Sequence, residues 1–143
     1  MNIRKSTEAD RPEWEALYAG YAAFYKVVQT VEMRDTVWGW ITTGKIEARV
    51  AVQDSRLIGL AHFRSFLRPL SASTGGYLDD LFVDPAARGF GAAEALIAAA
   101  RTEAAARGWS VVRWITSEDN HRARSVYDKV AQKTAWVTYD VKP

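Results

Sequence analysis

Tyr77-Leu78-Asp79-Asp80-Leu81-Phe82-Val83-Asp84-Pro85-Ala86-Ala87-Arg88-Gly89-Phe90-Gly91-Ala92-Ala93 reads as an apolar strand stopped at Asp84-Pro85, followed by a glycine-bearing turn and the start of a long alanine-rich helix. Strand, turn and helix N-terminus come in one piece. The first turn of a helix carries N–H groups without intrahelical acceptors, and the macrodipole adds partial positive charge there, which suits a phosphate group. Gly89 and Gly91 let the backbone come close to such a ligand, and Arg88 adds a permanent cation with a forked donor. The stretch predicts a site for a phosphate-bearing cofactor. It lacks both the three-glycine dinucleotide fingerprint and the Gly-Lys-Ser/Thr of the nucleoside-triphosphate loop.

On the N-terminal side, Ile3 and Arg4 fit a short strand, and Thr7 with Glu8 and Asp10 opens a helix over residues 8 to about 25. Trp14, Leu17, Tyr18, Tyr21, Ala22 and Tyr25 give that helix its apolar face. A second helix is predicted from Met33 to Thr43, with Val37, Trp38 and Ile41 on one side. From Glu47 the period becomes two, and Asp54-Ser55 turns the chain into a hairpin partner that runs to Phe66. A loop over Ser71–Gly76 then leads into the strand at Tyr77.

On the C-terminal side, the helix after Arg88 buries Ala92, Ala95, Leu96, Ala99 and Ala100 and ends at Gly108. Ser110–Thr116 reads as a strand, His121 to about Ala131 as a short helix, and Thr134–Val141 as a last strand. The fold class is therefore α/β (α+β), with three layers: a mixed central sheet of about six to seven strands covered by about four helices.

With 143 residues the chain fits one domain, 1–143, able to bury about two-thirds of its unfolded surface. Hydrophobic content of 48% and charged content of 25% are those of a soluble globular protein. No apolar run is long enough to span a bilayer, and the N-terminus lacks the apolar core of a secretion signal, so a cytoplasmic location is expected. The chain has no cysteine, which excludes disulfides, thiolate metal sites and cysteine nucleophiles. His62 and His121 have no metal-ligand spacing; His62 reads as packed on its strand. Nineteen basic residues against 17 acidic ones leave a net charge of only +2, spread along the chain, which does not point to nucleic acid.

Arg88, Gly91 and Ala93 fit the pattern Arg/Gln-x-x-Gly-x-Gly/Ala, and Asn120, Ala123 and Tyr127 form Asn-x-x-Ala-x-x-x-Tyr one strand later. The pair resembles the two signatures of the GNAT superfamily, the acetyl-coenzyme A-dependent N-acetyltransferases. That resemblance implies a cofactor site made by Leu81, Phe82, Val83, Arg88, Gly89, Phe90, Gly91, Ala92, Ala93, Asn120, Ala123 and Tyr127. The Leu81–Val83 backbone would polarise the thioester carbonyl and hold the pantetheine arm, while Tyr127 would protonate the departing thiolate. No metal is implied.

Tyr-Leu-Asp-Asp is most similar to the polyamine and diamine acetyltransferases, and also to the subgroup acting on histone tails and polyamines. By that similarity Asp79 falls on the general base, with a side chain one methylene shorter than the family's glutamate, and Asp80 on a residue near the cationic substrate. A strand carboxylate such as Asp79 also fits a structural partner of an arginine. Trp38 falls where the family borders its acceptor. An alkylamine has a pKa of about 10.4 and must lose a proton before it attacks, so a carboxylate at that point has a chemical purpose. The implied acceptor is a polyamine, diamine or lysine-like amine. Two other readings stay open: a protein lysine or N-terminal acetyltransferase, and a non-catalytic acyl-coenzyme A sensor. Homodimerisation is expected because the last strand of so small a sheet leaves an edge. The chain departs from the family in having Ala131-Gln132 after its last helix, where Gly-Phe is common.

Overall fold

The computed structural model describes residues 1–143. The chain begins with β1 (Asn2–Lys5), a 3-10 turn, α1 (Arg11–Phe24) and α2 (Val31–Thr42). Then come β2 (Glu47–Gln53), β3 (Arg56–Arg68), β4 (Ser73–Val83), α3 (Ala92–Arg107), β5 (Val112–Arg113) and α4 (His121–Val130). The five strands form one mixed sheet in the order β1-β2-β3-β4-β5. The first four are antiparallel, and β5 runs parallel to β4.

The sheet is covered on both sides, as expected, and each face has its own core. α3 packs on one face, where Leu96, Ile97 and Ala100 meet Ala51, Ile58, Ala61, Phe63, Leu78 and Val83. On the other, Trp14, Leu17 and Tyr18 of α1 and Trp38 of α2 meet Val50, Leu57, Leu60 and Phe82. At one edge of the α3 face, buried Arg49 of β2 pairs with Glu103 of α3 at 3.2 Å.

Asp54 and Ser55 both have positive φ, 51° and 63°, the conformation of the tight hairpin turn that the sequence predicts. The next hairpin differs from expectation, because β3 continues to Arg68 and β4 already begins at Ser73. Gly75 and Gly76 are strand residues, and absence of a side chain is what the packing demands. A Cβ on Gly76 would stand 2.5 Å from the Trp109 ring, and one on Gly75 2.8 Å from Phe66.

Two further expectations are corrected. The sheet has five strands rather than six or seven. The predicted Ser110–Thr116 strand is reduced to Val112–Arg113, and Thr134–Val141 forms no strand. Both segments have strand-like composition, but the first pairs with β4 over only two residues and the second with nothing in the chain.

Candidate functional site

The site begins at a fault in the sheet. β4 pairs with β5 only at Gly76–Val112 and Tyr77–Arg113, so the two strands part beyond Tyr77. On its other edge β4 stays paired with β3, but the register shifts: His62 faces Asp80 and Phe63 faces Leu78, leaving Asp79 as the extra residue of a β-bulge. Strict alternation would send neighbouring carboxylates to opposite faces. The bulge lets both act on the α1 side, where the negative charges of Asp80 and Asp79 both fall on Tyr18.

The gap left by β5 is a cleft of about 360 Å³. One wall is Leu81–Val83 of β4; the floor is the turn and α3 start from Ala87 to Glu94; the far wall is α4 with Asn120, Ala123, Val126 and Tyr127. Phe24 and Tyr25, at the end of α1, close the remaining side.

The turn is shaped as the opening stretch predicts. Asp84 accepts from the Ala86 N–H at 3.0 Å, and Gly89 and Gly91 take the left-handed conformation with φ of 89° and 83°. As a result the N–H groups from Gly89 to Glu94 make no hydrogen bond to the protein. Nothing lies within 4 Å of a Cβ built on Gly89, so that backbone is open to a ligand. Six unpartnered donors at a helix N-terminus fit a pyrophosphate on this structure's own geometry. Arg88 lies over the rings of Phe24 and Phe82 at 5.3 and 6.0 Å, with its charge at the cleft.

Across the cleft, Asn120 caps α4 and reaches Tyr25 Oη at 3.2 Å, which ties α4 to the end of α1. Tyr127 packs edge-on against Trp114 at 5.4 Å. Burial, and next to it the nearby Tyr25, pushes the Tyr127 phenol up to about 12, so it is protonated across the physiological range.

The two carboxylates have different partners. Asp79 is gripped by Arg64, with Nε at 3.0 Å and a second guanidinium nitrogen at 3.3 Å. Burial nevertheless raises its carboxyl above the ordinary range, Arg64 pulls the other way, and the charge of Asp80 adds to the rise. Asp80 accepts from Tyr18 Oη and lies against His62 Nδ1, both at 2.8 Å and both through Oδ2. His62 is fully buried, and its Nε2 sits 2.9 Å from Trp14 Nε1. An indole N–H can only donate, so His62 Nε2 is the acceptor and Nδ1 carries the proton given to Asp80. Burial and the charge of Asp80 raise the phenols of Tyr18 and Tyr21 well above the ordinary tyrosine range.

The cleft thus gathers Leu81, Phe82, Val83, Arg88, Gly89, Gly91, Ala92, Ala93, Asn120, Ala123 and Tyr127. Two expected residues are elsewhere. Phe90 is not among the residues lining the cleft and is 69% exposed. Trp38 is corrected from an acceptor-lining residue to a core residue: it is buried and packs on Trp14 at 4.9 Å, because its helical period turns it inward with Val37 and Ile41. Sequence reasoning missed Phe24, Tyr25, Arg122 and Lys129 in the lining and the Trp14–His62–Asp80–Tyr18 chain. The α4 cations carried a signal in their spacing, since Arg122, Val126 and Lys129 fall on one helical face at i, i+4 and i+7, whereas the buried chain joins four residues from three elements and carried none.

No group of three or more His, Cys, Asp or Glu side chains could hold a metal ion, and no helix is long and apolar enough to cross a membrane. The model of the acetyltransferase (GNAT) family matches residues 14–131. The D-amino-acid N-acetyltransferase HPA3 of Saccharomyces cerevisiae is 32% identical over 134 residues, covering 91% of this chain and 83% of that protein. Among solved structures, a probable acetyltransferase superposes with a TM-score of 0.89 at 23% identity, over 100% of this chain and 98% of its own. An aminoglycoside N-acetyltransferase, AAC(6')-Iy in complex with CoA, superposes with a TM-score of 0.76 at 19% identity, over 99% and 98% of the two chains. The chain therefore belongs to the acetyltransferase (GNAT) family and is an N-acetyltransferase that uses acetyl-coenzyme A.

Proposed function

We propose that residues 1–143 act as one N-acetyltransferase domain that transfers acetyl to the primary amine of a small cationic acceptor, a polyamine, diamine or lysine-like amine, in the cytoplasm and as a homodimer. The observation that carries the cofactor half of this reading is the row of six unpartnered N–H groups from Gly89 to Glu94, facing a cleft whose far wall holds Tyr127. The acceptor half rests on the bulge that gives Asp79 and Asp80 to one face.

Acetyl-coenzyme A supplies an acetyl thioester, whose C–S bond breaks as the new C–N bond forms. Asp80, held by Tyr18 and His62 through Oδ2, keeps Oδ1 free for the ammonium group. Asp79 takes the proton, directly or through one water; its raised pKa brings it closer to the pH at which a base works best. The backbone of Leu81–Val83, without a β5 partner, offers N–H groups to the carbonyl oxygen. Tyr127 meets the departing sulfur as a hydrogen-bond donor. With its own pKa at about 12, against about 8.5 for a thiol, it stabilises the thiolate without giving up the proton, which then comes from solvent.

A second reading has its own support. Arg64 stands beside Asp79, so an amino-acid acceptor finds a cation for its carboxylate next to the acids for its ammonium group. The likeness to a D-amino-acid N-acetyltransferase favours the same class.

The test is calorimetric binding of acetyl-coenzyme A, followed by thiol release against polyamines, diamines, D- and L-amino acids and lysine peptides. Arg88→Ala is expected to weaken cofactor binding about tenfold, and Tyr127→Phe to lower kcat by roughly 10²-fold with binding preserved. Cofactor binding with no turnover on any amine would leave a sensor, and no binding at millimolar cofactor would overturn the proposal.

A further inference from the structure

The apolar packing of α1 and α2 on the sheet stops at His62 and Asp80: the sheet residues in it are Val50, Val52, Leu57, Leu60 and Phe82, all to one side of that pair. Beyond it the same face carries a different set of side chains. Arg64 stands over the Tyr77 ring at 5.0 Å, Tyr77 meets Phe66 edge-on at 6.1 Å, and Arg113 stands over Phe66 at 5.6 Å. Gly75 keeps this strip flat. A Cβ there would stand 2.8 Å from Phe66 and 3.0 Å from Arg68 Cδ, so both side chains lie across β4 toward β5.

The strip has two ends of opposite charge. Asp79 and Asp80 make one, and Arg68 and Arg113 the other. Arg64, between them, is neutralised by its pairing with Asp79. Neither Arg68 nor Arg113 meets an acid, and Arg68 donates only to Ser110 Oγ, at 2.7 Å. The register fixes the separation. Tyr77 stands between Arg64 and Arg113, while Asp80 faces His62, two residues further along β3. Two residues at about 3.3 Å and one strand spacing of about 4.8 Å put the backbone of Arg113 roughly 8 Å from that of Asp80.

We infer that Arg113, with Arg68 beside it, is an anion subsite for the far end of the acceptor, and that the acceptor is a small amine carrying a carboxylate about six bonds from its nitrogen: an ω-amino acid, or free lysine taken at its side-chain amine. This rests on the small-amine reading above and narrows it to the lysine-like member. Six bonds at about 1.2 Å of extended reach each span roughly 7 Å, which matches the gap between the acids and Arg113. The rings of Tyr77 and Phe66 give the alkyl chain an apolar floor. A diamine of the same length would bring its second ammonium group to two guanidinium groups with no acid there to receive it, and such a juxtaposition selects against it. An α-amino acid reacting at its α-amine has its carboxylate only two bonds away. It would meet Arg64 and fall short of Arg113.

The experiment measures kcat/KM of the full chain with 6-aminohexanoate, hexylamine and 1,5-diaminopentane, which set a carboxylate, a methyl and an ammonium group at the same distance from the reacting nitrogen. Nα-acetyl-lysine against its carboxamide separates a free acceptor from a lysine inside a protein. The carboxylate is expected to outrun the methyl group about tenfold, chiefly through KM, with the diamine slower still and the differences shrinking as salt is raised. Nα-acetyl-lysine should outrun its carboxamide likewise. Arg113→Glu is expected to reverse the order of aminohexanoate and diamine, and Arg113→Lys to keep it, both with the wild-type far-UV circular dichroism. The wild-type order decides the acceptor class even if a variant fails to fold. A diamine as good as aminohexanoate, a carboxamide as good as the free acid, or an order unmoved by Arg113→Glu overturns the subsite and leaves the small-amine acetyltransferase standing. Turnover on no free amine overturns both.

Discussion

α1 and α3 lie on opposite faces of one sheet and are attached to it by different chemistry. Beneath α3 the contacts are aliphatic and close: Leu96 and Ala100 are fully buried, and a Cβ on Gly59 would stand 3.2 Å from Leu96 Cδ1. Beneath α1 they are aromatic and directional, with Trp14 donating to His62, His62 to Asp80, and Tyr18 closing on the same carboxylate. Small side chains let a helix axis come near a sheet and fix its height, which sets where the N–H groups of its first turn stand. Hydrogen-bonded rings fix the orientation of one carboxylate instead. The two halves of the proposed reaction thus rest on two kinds of packing, one placing a backbone and one placing a charge.

The comparison breaks most plainly at Leu96. Leu96→Ala removes a fully buried side chain from the layer between α3 and the sheet and is expected to cost about 2–5 kcal/mol of stability in urea unfolding. Its cofactor affinity should fall as well, because the first turn of α3 moves with the helix. A loss below about 1 kcal/mol would mean that α3 is held mainly by the Arg49–Glu103 and Arg107–Glu47 pairs at its other end.

How much of this was legible in the sequence follows the same division. The cofactor cleft was readable because its residues are contiguous: one stretch, Leu81–Ala93, supplies a wall and the floor, and α4 presents Ala123 and Tyr127 by simple helical spacing. The acceptor face was not, because it depends on a bulge that alternation does not announce and on a chain from Trp14 to His62 to Asp80 across three elements. Trp38 was misplaced for a related reason: an aromatic residue on an amphipathic helix carries no mark saying whether it faces core or ligand. Residues 134–141 show the reverse error: their alternation reads as a strand, but the chain forms none there, because pairing is a property of the neighbours.

A smaller effect is expected on the aromatic face. Trp14→Phe keeps an aromatic ring but withdraws the N–H that His62 Nε2 accepts. A buried acceptor left unpaired costs about 1–3 kcal/mol. The specific reading is nitrogen-15 NMR of His62: the proton is fixed on Nδ1 in the wild type, and the preference is expected to weaken in the variant. An unchanged tautomer would show that Asp80 alone sets it, and that Trp14 serves only as packing.

The smallest expected change in stability sharpens the comparison at the solvent rim, where Asp79 and Arg64 meet. Four influences act on the Asp79 carboxyl: burial and the charge of Asp80 raise its pKa, and Arg64 and His62 lower it. Arg64→Ala removes the strongest of the lowering partners, so the carboxyl should hold its proton to a still higher pH. A base works only when deprotonated, and the acid limb of kcat/KM against pH is therefore expected to move upward while cofactor binding stays as it was. The effect on stability has its own sign. An acid whose folded pKa lies above its unfolded value binds more protons when folded, so its contribution is most favourable below the unfolded pKa, near 3.8, and declines as pH rises through the folded one. Arg64→Ala extends that decline to higher pH, but the pair is partly exposed and its loss at neutral pH should amount to no more than about 1 kcal/mol. An acid limb that does not move would exclude Asp79 as the base. The free Oδ1 of Asp80, on the hydrogen-bonded chain from Trp14, would then be the proton acceptor, and the aromatic face would hold the whole of the acceptor chemistry.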